Sequence, residues 1–292
     1  MSFACPACGN TTSPKIRLQK VKSVYSSGLF FDIVECDNCS VYFNSPPVTE
    51  SELDDFYKSM YGYVAHNLVH YEKLSRAKKL VKLSEIDWDG TIVGEIGTGA
   101  GELAKVLSPM IKSLDGCEID EISARKVELE NVRINIESAE IFLNRSGADA
   151  FNVVVMSHSL EHMHDPKKVL ALVFSVLKDD GLLLLSVPNR SAAPKFLKKY
   201  WGYWQVPIHV CHFDIKSLTS LLTSVGFVVE TENYRRSDFM AVGSFIANIL
   251  GLSSTRNVPN GQLIKLLVSV LSRFYSMTYR FGKQDLIVVA RK

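Results

Sequence analysis

A glycine-rich loop at residues 97–101 has the residue types and spacing that most directly indicate ligand binding. It follows an apolar run at 91–96 and leads into a helix-like segment at 102–107. Glycines allow a tight turn and let the backbone approach a ligand that a Cβ atom would keep away. An acidic residue, Glu118, closes a second apolar run 21 residues after Gly97. A carboxylate at that distance can accept hydrogen bonds from both ribose hydroxyls of a nucleoside-containing ligand.

The charge beside the loop separates two classes of nucleoside ligand. Nicotinamide dinucleotides are bound by the spacing G-x-G-x-x-G, which places a helix N-terminus under the pyrophosphate. Here the spacing is G-x-G-x-G, and Glu95 precedes it. A carboxylate repels a pyrophosphate and attracts a cation, which favours S-adenosylmethionine, a ligand with a sulfonium and an ammonium group. A glycine-rich turn that binds no ligand is the remaining interpretation.

Two further apolar runs, at 151–157 and 181–189, have the aliphatic and β-branched composition of buried strands. The first is followed by H-S-L-E-H at 158–162 and D-P at 165–166. The second ends in P-N at 188–189. These segments must lie at the end of each strand, where ligands bind in open α/β sheets.

Together, residues 91–190 resemble the class I S-adenosylmethionine-dependent methyltransferases of the type 11/23-like subgroup. The loop is similar to the family motif E-x-G-x-G-x-G. The later segments are similar to F-D-x-V … L-E-H … D-P … G-G-x-L … P-N, although Asn152 stands in place of Asp and Asp180 in place of Gly. The resemblance implies an α/β fold with a Rossmann-like, seven-stranded, mostly parallel sheet and S-adenosylmethionine as cofactor. It implies these cofactor-binding residues: Glu95, Gly97, Thr98, Gly99, Gly101, Glu118, Ile119 and Ser157.

Four cysteines form two C-x-x-C pairs near the start of the chain, Cys5 with Cys8 and Cys36 with Cys39. The 27 residues between the pairs include strand-like alternation. Four thiolates complete a tetrahedral zinc site, so the pattern predicts a closed, structural Zn²⁺ in a small zinc-ribbon-like β module. Four ordinary buried or redox-active cysteines are the alternative. Cys117 is predicted to be a core residue.

Five of the seven histidines fall after the two buried runs, at positions 158, 162, 164, 209 and 212. An imidazole titrates near neutral pH, so it can take the proton of a hydroxyl or carbon acid. We expect His158 and His209 to be the catalytic base or a substrate contact, and His162 to hold its loop with Glu161. Quinone-pathway O-methyltransferases use E-x-x-E-H here to bind a divalent metal. This chain lacks the first Glu, which argues against a catalytic metal.

The sequence predicts three parts: a zinc-ribbon-like module at 1–45, a helical lid or linker at 46–88, and a methyltransferase domain at 89–292 with a C-terminal helical insertion at about 237–280 that covers the pocket. A linker with two prolines is expected at 41–47. Residues 50–84 are expected to be helical, with Tyr61 and Tyr63 as lid residues.

Two later segments complete the expected fold. The aromatic run at 200–204 suits either stacking on a sugar or aromatic ring or packing in the core. Residues 207–213 resemble the family's P-x-H-x-x-x-F segment, which flanks the substrate cavity and is followed by a helix at 215–224 and a strand at 226–230. The run at 285–290 is expected to be the seventh strand of the sheet.

The overall composition limits which kinds of partner the protein is expected to bind. With 33 basic and 31 acidic residues, a net charge of +2 and 47% hydrophobic residues, the chain can form a substantial core, and nucleic acid is disfavoured as a partner. No apolar signal segment begins the sequence, and the late apolar stretch at 239–252 is too short to span a bilayer. We expect a cytoplasmic protein with reduced thiols. Weak association of the amphipathic segment with a membrane surface is the less favoured alternative, and the oligomeric state is left open.

The predicted function is methyl transfer from S-adenosylmethionine to a small-molecule substrate, because a cysteine module joined to this core resembles sugar C-methyltransferases and enzymes of glycan or secondary-metabolite pathways. One alternative is an rRNA or tRNA methyltransferase that contacts RNA through the zinc module. Against it, the module lacks interleaved basic and aromatic residues, and S-H-S-L at 157–160 is not the base-gripping [N/D]-P-P-[Y/F]. The other alternative is a non-catalytic S-adenosylmethionine-binding protein.

Overall fold

The computed structural model describes residues 3–23, 28–64, 70–193, 199, 201, 203–236 and 283–292. The chain divides into two compact units, the first formed by 1–57, 188–218 and 234–285 and the second by 58–187, 219–233 and 286–292. The domain boundaries predicted from the sequence, at 45/46 and 88/89, stay predictions.

The elements follow one another in chain order. The first part of the chain forms β1 (Phe3–Ala4), β2 (Thr11–Thr12), β3 (Lys15–Lys22), β4 (Phe30–Glu35), β5 (Tyr42–Ser45), α1 (Glu50–Val64) and α2 (His70–Ser84). The middle forms β6 (Ile92–Ile96), α3 (Glu102–Leu107), β7 (Ser113–Glu118), α4 (Glu121–Ala124), β8 (Val132–Ile136), α5 (Ala139–Ser146), β9 (Phe151–Ser157), α6 (Pro166–Val176) and β10 (Leu177–Pro188). The last described elements are β11 (Cys211–His212), α7 (Ile215–Val225), β12 (Val228–Arg236) and β13 (Lys283–Arg291).

A seven-stranded sheet has the order β12-β13-β10-β9-β6-β7-β8. The pairings from β10 through β9, β6 and β7 to β8 are all parallel. Strands of such a sheet are covered on both faces, which explains their continuous apolar runs. This arrangement confirms the predicted α/β, Rossmann-like fold with a mostly parallel sheet.

The core of the second unit lies between this sheet and helices on one of its faces. Leu80 of α2, Leu103 and Leu107 of α3 and strand residues such as Val93 and Val155 are buried in one cluster. Burying each such side chain contributes about 1.5–3 kcal/mol to folding. The cluster therefore fixes β6 and α3, the two elements that flank the glycine loop.

Helix α6 begins at the D-P pair. The side chain of Asp165 accepts a hydrogen bond from the backbone N–H of Lys168 at 2.9 Å, and Pro166 occupies the first helical turn. An N-cap carboxylate satisfies one of the unpaired N–H groups of the first turn, and proline loses no hydrogen bond there. The D-P pair therefore starts the helix directly after the 158–162 segment.

The first unit contains a separate four-stranded sheet with the order β11-β5-β4-β3 and a two-stranded sheet of β1 and β2. The pairings of β3, β4, β5 and β11 are antiparallel. The expectation of a linker at 41–47 is wrong for residues 42–45, which form β5. This strand has a hydrogen-bonded partner on each side, and the prolines at 46 and 47 end it because they lack a backbone N–H.

Other predicted elements are confirmed within a few residues. Helices α1 and α2 fall in the predicted helical region 50–84, and α7 and β13 stand where the late helix and the seventh strand were expected. The strand expected at 226–230 is β12, which begins at Val228 and continues to Arg236. The predicted helical insertion at 237–280 and the side chains of Tyr61 and Tyr63 lie outside the described residues. Of the helices that the structure describes, none has both the length and the hydropathy needed to cross a membrane.

Candidate functional site

The glycine loop joins the end of β6 to the start of α3 in a conformation that requires glycine. The φ angles of Gly97, Gly99 and Gly101 are 77°, 55° and 73°. A Cβ atom on Gly97 would stand 2.9 Å from the Cβ of Ser159, and one on Gly101 would stand 2.5 Å from Cγ2 of Val127. Left-handed backbone and close approach together exclude larger residues at these two positions.

Glu118 at the end of β7 is bound to this loop. Its Oε2 atom accepts a hydrogen bond from the backbone N–H of Gly99 at 2.8 Å, and its Oε1 atom accepts one from the N–H of Asp120 at 2.9 Å. Burial raises the pKa of Glu118, and these two N–H groups oppose that rise. Apart from its chain neighbours, no atom of a described residue lies within 4 Å of the position that a Cβ on Gly99 would take. The structure thus brings the predicted loop and the predicted acid together beside open space.

Glu95 on β6 is a buried carboxylate with no cation beside it in the part of the chain that the structure describes. It is 2% exposed, and its Oε2 atom has no hydrogen-bond partner among those residues. Burial, and then the negative charges of Glu118 and Glu102, raise the pKa of Glu95 to about 8. Thr98 is also buried, and its hydroxyl lacks a described partner. Such a carboxylate fits a ligand that brings an ammonium group.

The remaining predicted cofactor residues lie at the same edge of the sheet. Ile119 follows β7 and is exposed, and Ser157 is the last residue of β9. The strands β7, β6 and β9 are neighbours and run parallel, so their carboxyl ends meet at one edge. That edge is where open α/β sheets bind ligands.

His158 has an unusual backbone directly after β9. Its φ angle is 56°, a left-handed conformation that costs a non-glycine residue about 1–3 kcal/mol. Its N–H donates to the carbonyl of Ser186 at 2.7 Å, which holds it there. Its Nδ1 atom lies 3.4 Å from Oε1 of Glu161, whose side chain is 1% exposed. The sequence predicted Glu161 as a loop residue, and its contact with His158 was missed although the i, i+3 spacing permits it.

His209, in the first unit, is held by a backbone acceptor. The residue is 3% exposed, and its Nδ1 atom lies 2.8 Å from the carbonyl oxygen of Tyr203. The neighbouring His212 is buried, and burial, followed by the charge of Arg190, lowers its pKa to about 3. His212 is therefore neutral at physiological pH and is unsuited to exchange protons.

The aromatic residues of the 200–204 run that the structure describes belong to the core. Trp201, Tyr203 and Trp204 are all buried. The ring centroid of Trp201 lies 5.3 Å from that of Tyr203 and 5.0 Å from that of Trp204, and Trp204 packs edge-on against His212. Of the two roles expected for this run, these contacts favour core packing over stacking on a ligand.

The four N-terminal cysteines form one cluster. The ligand atoms of Cys5, Cys8, Cys36 and Cys39 all lie within 4.8 Å of one another. Each pair is followed by the same turn: the N–H of Gly9 donates to the carbonyl of Cys5 at 2.8 Å, and that of Ser40 donates to Cys36 at 3.0 Å. Both turns end in a left-handed residue. Two matching turns that present four thiols to one point fit a single tetrahedral metal ion.

Comparison with known proteins agrees with this geometry. A family model described as a methyltransferase domain matches residues 68–232. A Mycolicibacterium smegmatis protein named a probable S-adenosylmethionine-dependent methyltransferase is 29% identical over 144 residues, which cover 48% of this chain and 53% of that protein. A Coxiella burnetii ubiquinone biosynthesis O-methyltransferase is 24% identical over 119 residues, covering 38% and 51%. The chain thus spans about half the length of these curated relatives.

Solved structures share the fold. A methyltransferase from Archaeoglobus fulgidus described as S-adenosylmethionine-dependent is 18% identical, with a TM-score of 0.54 over 75% of this chain and 94% of its own. The [4+2]-cyclase SpnF is 14% identical, with a TM-score of 0.52 over 75% and 81%. At these identities the likeness concerns the fold alone, since one fold can carry different reactions. The family model covers more than half of the 292 residues, and the chain therefore belongs to the methyltransferase-domain family, with the class I S-adenosylmethionine-dependent fold.

Proposed function

We propose that this protein transfers a methyl group from S-adenosylmethionine to a small-molecule acceptor of the sugar, glycan or secondary-metabolite class. The observation that carries the proposal is the pairing of the loop with two carboxylates: Gly99 bonded to Glu118, and Glu95 buried without a cation among the described residues. The acceptor class is supported by the resemblance of a cysteine module joined to this core. The net charge of +2 weighs against an RNA substrate.

The two carboxylates, the loop glycines and the residues at the sheet edge would hold different parts of the cofactor. The Glu95 carboxylate would bind the ammonium group, because a cation stabilises the charged form of a buried acid. Glu118, held by two backbone N–H groups, keeps lone pairs on both oxygens for the ribose hydroxyls. The glycines allow the chain at 97–101 to lie against the ligand. Ile119 and Ser157 would flank it at the same edge of the sheet.

When bound, S-adenosylmethionine supplies a methyl group on a sulfonium, so that transfer leaves the neutral thioether of S-adenosylhomocysteine. The residues of the protein then have two tasks, to align the acceptor and to exclude water. If the acceptor atom carries a proton, the proton moves to a neutral imidazole as the new bond to the methyl carbon forms. We propose His209 or His158 for that step. The Glu161 carboxylate would stabilise the imidazolium of His158.

The cysteine cluster would hold a structural zinc ion. Its four thiolates fill all four tetrahedral positions, so no position remains for water or substrate. The ion would stabilise the turns at Cys5–Gly9 and Cys36–Ser40 and would take no part in methyl transfer.

The function is tested by incubating the protein with methyl-labelled S-adenosylmethionine and separate pools of nucleotide sugars, lipid-linked glycans, tRNA and rRNA. We expect label in a sugar or glycan pool. Label in RNA would overturn the acceptor class. Binding of S-adenosylhomocysteine without transfer to any pool would favour the non-catalytic alternative, and tight binding of NAD in its place would overturn the cofactor assignment.

The base is tested with His209→Asn and His158→Asn once an acceptor is labelled. Asn keeps polarity and approximate size but removes the basic nitrogen, so turnover should fall about 10²–10⁴-fold in the variant that lacks the base. The wild-type rate should rise with pH through the histidine range, and that variant should lose the rise. His164→Asn, at an exposed position, serves as the control. Near-normal turnover in both variants would mean that neither histidine is the base.

A further inference from the structure

A buried asparagine, Asn44, connects the cysteine module to the loop that carries His209. It lies on β5, is 2% exposed, and pairs with Ile33 of β4. Its Nδ2 atom donates to two carbonyl oxygens, that of Pro207 at 3.0 Å and that of His209 at 2.9 Å. Both hydrogens of the amide are therefore used on a single loop.

The other end of the same amide fixes the tautomer of His212. Its Oδ1 atom lies 3.2 Å from Nε2 of His212. The amide cannot be reversed, because Oδ1 would then face the carbonyl oxygens of Pro207 and His209. Since Oδ1 only accepts, the Nε2 atom of neutral His212 carries the hydrogen. The two hydrogens on Nδ2 and the Oδ1 atom therefore all bond to residues 207–212.

The same reasoning fixes the tautomer of His209. A backbone carbonyl only accepts, so the Nδ1 atom that lies 2.8 Å from the oxygen of Tyr203 carries the hydrogen. The lone pair of the neutral ring is then on Nε2. The ring is oriented from one side by Tyr203, which is itself buried against Trp201, while Asn44 holds the backbone carbonyl of His209.

We infer that Asn44 is a positioning residue, which keeps the His209 loop in the one arrangement where Nδ1 is protonated and Nε2 can accept a proton. The inference rests on the proposed function, in which His209 receives the proton of the acceptor. Without the amide, two buried carbonyls lose their donor, and the loop is released from the Tyr203–His209 geometry. The specific consequence is a mixture of tautomers at His209, in place of a single one.

Long-range ¹H–¹⁵N NMR of the full-length, metal-loaded protein with ¹⁵N-labelled histidine tests this without an acceptor. His209→Asn and His212→Asn assign the two rings. In the wild type we expect Nδ1–H at His209 and Nε2–H at His212, whereas Asn44→Ala should lose the single tautomer of His209. Asn131→Ala is the matched control, because Asn131 also donates to two carbonyls, those of Ser108 and Ile111, and accepts from a side chain.

Folding of each variant is checked by its metal content and by its affinity for S-adenosylhomocysteine, which should stay within about twofold of wild type. If Asn44→Ala does not fold, Asn44→Asp is used, since it keeps an acceptor for His212 but removes both donors. An Nε2–H tautomer at His209 in the wild type would overturn the inference. So would an unchanged single tautomer in a folded Asn44 variant.

A kinetic measurement separates this inference from the proposed function. With a labelled acceptor, Asn44→Ala should lower turnover about 10-fold or more, and the double variant Asn44→Ala/His209→Asn should be no slower than His209→Asn. Additive losses would show that Asn44 does not act through His209. If the proposed function fails, no pool takes up label, while the NMR measurement still reports on the tautomer. The two failures are therefore distinguishable.

Discussion

At the scale of single residues, the buried carboxyl group of Glu95 has an unusual pKa. A carboxyl group with its pKa raised to about 8 is mostly protonated at pH 7. The causes are burial, then the charges of Glu118 and Glu102. Because a cationic ligand stabilises the ionised form, its binding must be linked to the release of a proton.

This linkage gives the first prediction. At pH 7, binding of S-adenosylhomocysteine, which carries the same ammonium group, should release close to one proton. Its affinity should rise with pH up to about pH 8, by at most about tenfold per pH unit. Calorimetry in buffers of different ionisation enthalpy measures the proton count. Glu95→Gln should release none, and an equal affinity of wild type at pH 6 and pH 8 would contradict the assignment.

The same shift affects the stability of the ligand-free protein. The folded state binds more protons than the unfolded chain between the ordinary pKa of a glutamate and about 8. The contribution of Glu95 to the free energy of unfolding therefore falls as the pH rises through that window. We expect the thermal midpoint of Glu95→Gln to exceed that of wild type at pH 8 and to approach it at pH 5, by differential scanning calorimetry. If the two thermal midpoints differed by the same amount at pH 5 and at pH 8, Glu95 would not be the source of the pH dependence.

Glu118 and Gly99 give a second test of the cofactor site. Glu118→Ala removes two charge-assisted hydrogen bonds to a ribose, each worth about 1.5–3 kcal/mol, so S-adenosylhomocysteine should bind at least about a hundredfold more weakly. Gly99→Arg places a long side chain in the open space beside Glu118 and should abolish binding.

Two matched variants control this experiment. Gly147 also has a positive φ angle and, chain neighbours aside, no atom of a described residue within 4 Å of its Cβ position, so Gly147→Arg places an arginine on a positive-φ glycine away from the loop. Glu130→Ala removes an exposed carboxylate. Both control variants should bind S-adenosylhomocysteine as wild type does. If they lost binding as the site variants do, the loss would come from a general effect on the fold.

At the scale of elements, the second cysteine turn, Cys36–Ser40, joins β4 to β5, whereas the first, Cys5–Gly9, joins β1 to β2. Cys36 follows the last residue of β4, and Tyr42 begins β5 three residues after Cys39. The turn between them is also bound from outside, since Arg190 donates to the carbonyl of Ser40 at 2.7 Å and its guanidinium lies 3.6 Å from the ring centroid of Tyr42. Because this turn carries two of the four cysteines and joins the two strands, loss of the metal should loosen both strands.

Elemental analysis should find about one zinc ion per chain. Cys36→Ser should release it and increase hydrogen exchange in β4 and β5. Binding of S-adenosylhomocysteine should be retained, because every predicted cofactor residue belongs to the other unit. Cys117→Ala, which removes a buried thiol outside the cluster, should keep its zinc. A folded wild-type protein without any metal would exclude the site.

At the scale of the whole molecule, the predicted metal site and the predicted cofactor site belong to different compact units. A ligand that binds only the folded state stabilises it by RT ln(1 + [L]/Kd), about 2.7 kcal/mol at 100 times Kd. S-adenosylhomocysteine should therefore raise the thermal midpoint of the second unit by a similar amount before and after a chelator removes the metal. A shift that disappears with the metal would show that the two sites are coupled.

The sequence by itself determined the sheet, the glycine loop and the cysteine cluster. Strand composition, the glycine spacing and the acid at Glu118 are local signals, because each depends on neighbours in the chain. The paired cysteines are local in the same sense, since each turn closes within five residues. These signals predicted the sheet, the loop and the cysteine cluster, and the structure contains all three.

Only the tertiary structure decided the partners of those residues. The segment that begins at Val41 has the appearance of a linker because it ends in two prolines, yet residues 42–45 pair with β4 and with β11, which lies more than 160 residues later in the chain. The burial of His212 was equally absent from the pattern. Hydrogen bonds between distant segments leave no periodicity in the sequence. The roles of Asn44, Tyr203 and His209 toward one another therefore became visible only once the chain was folded.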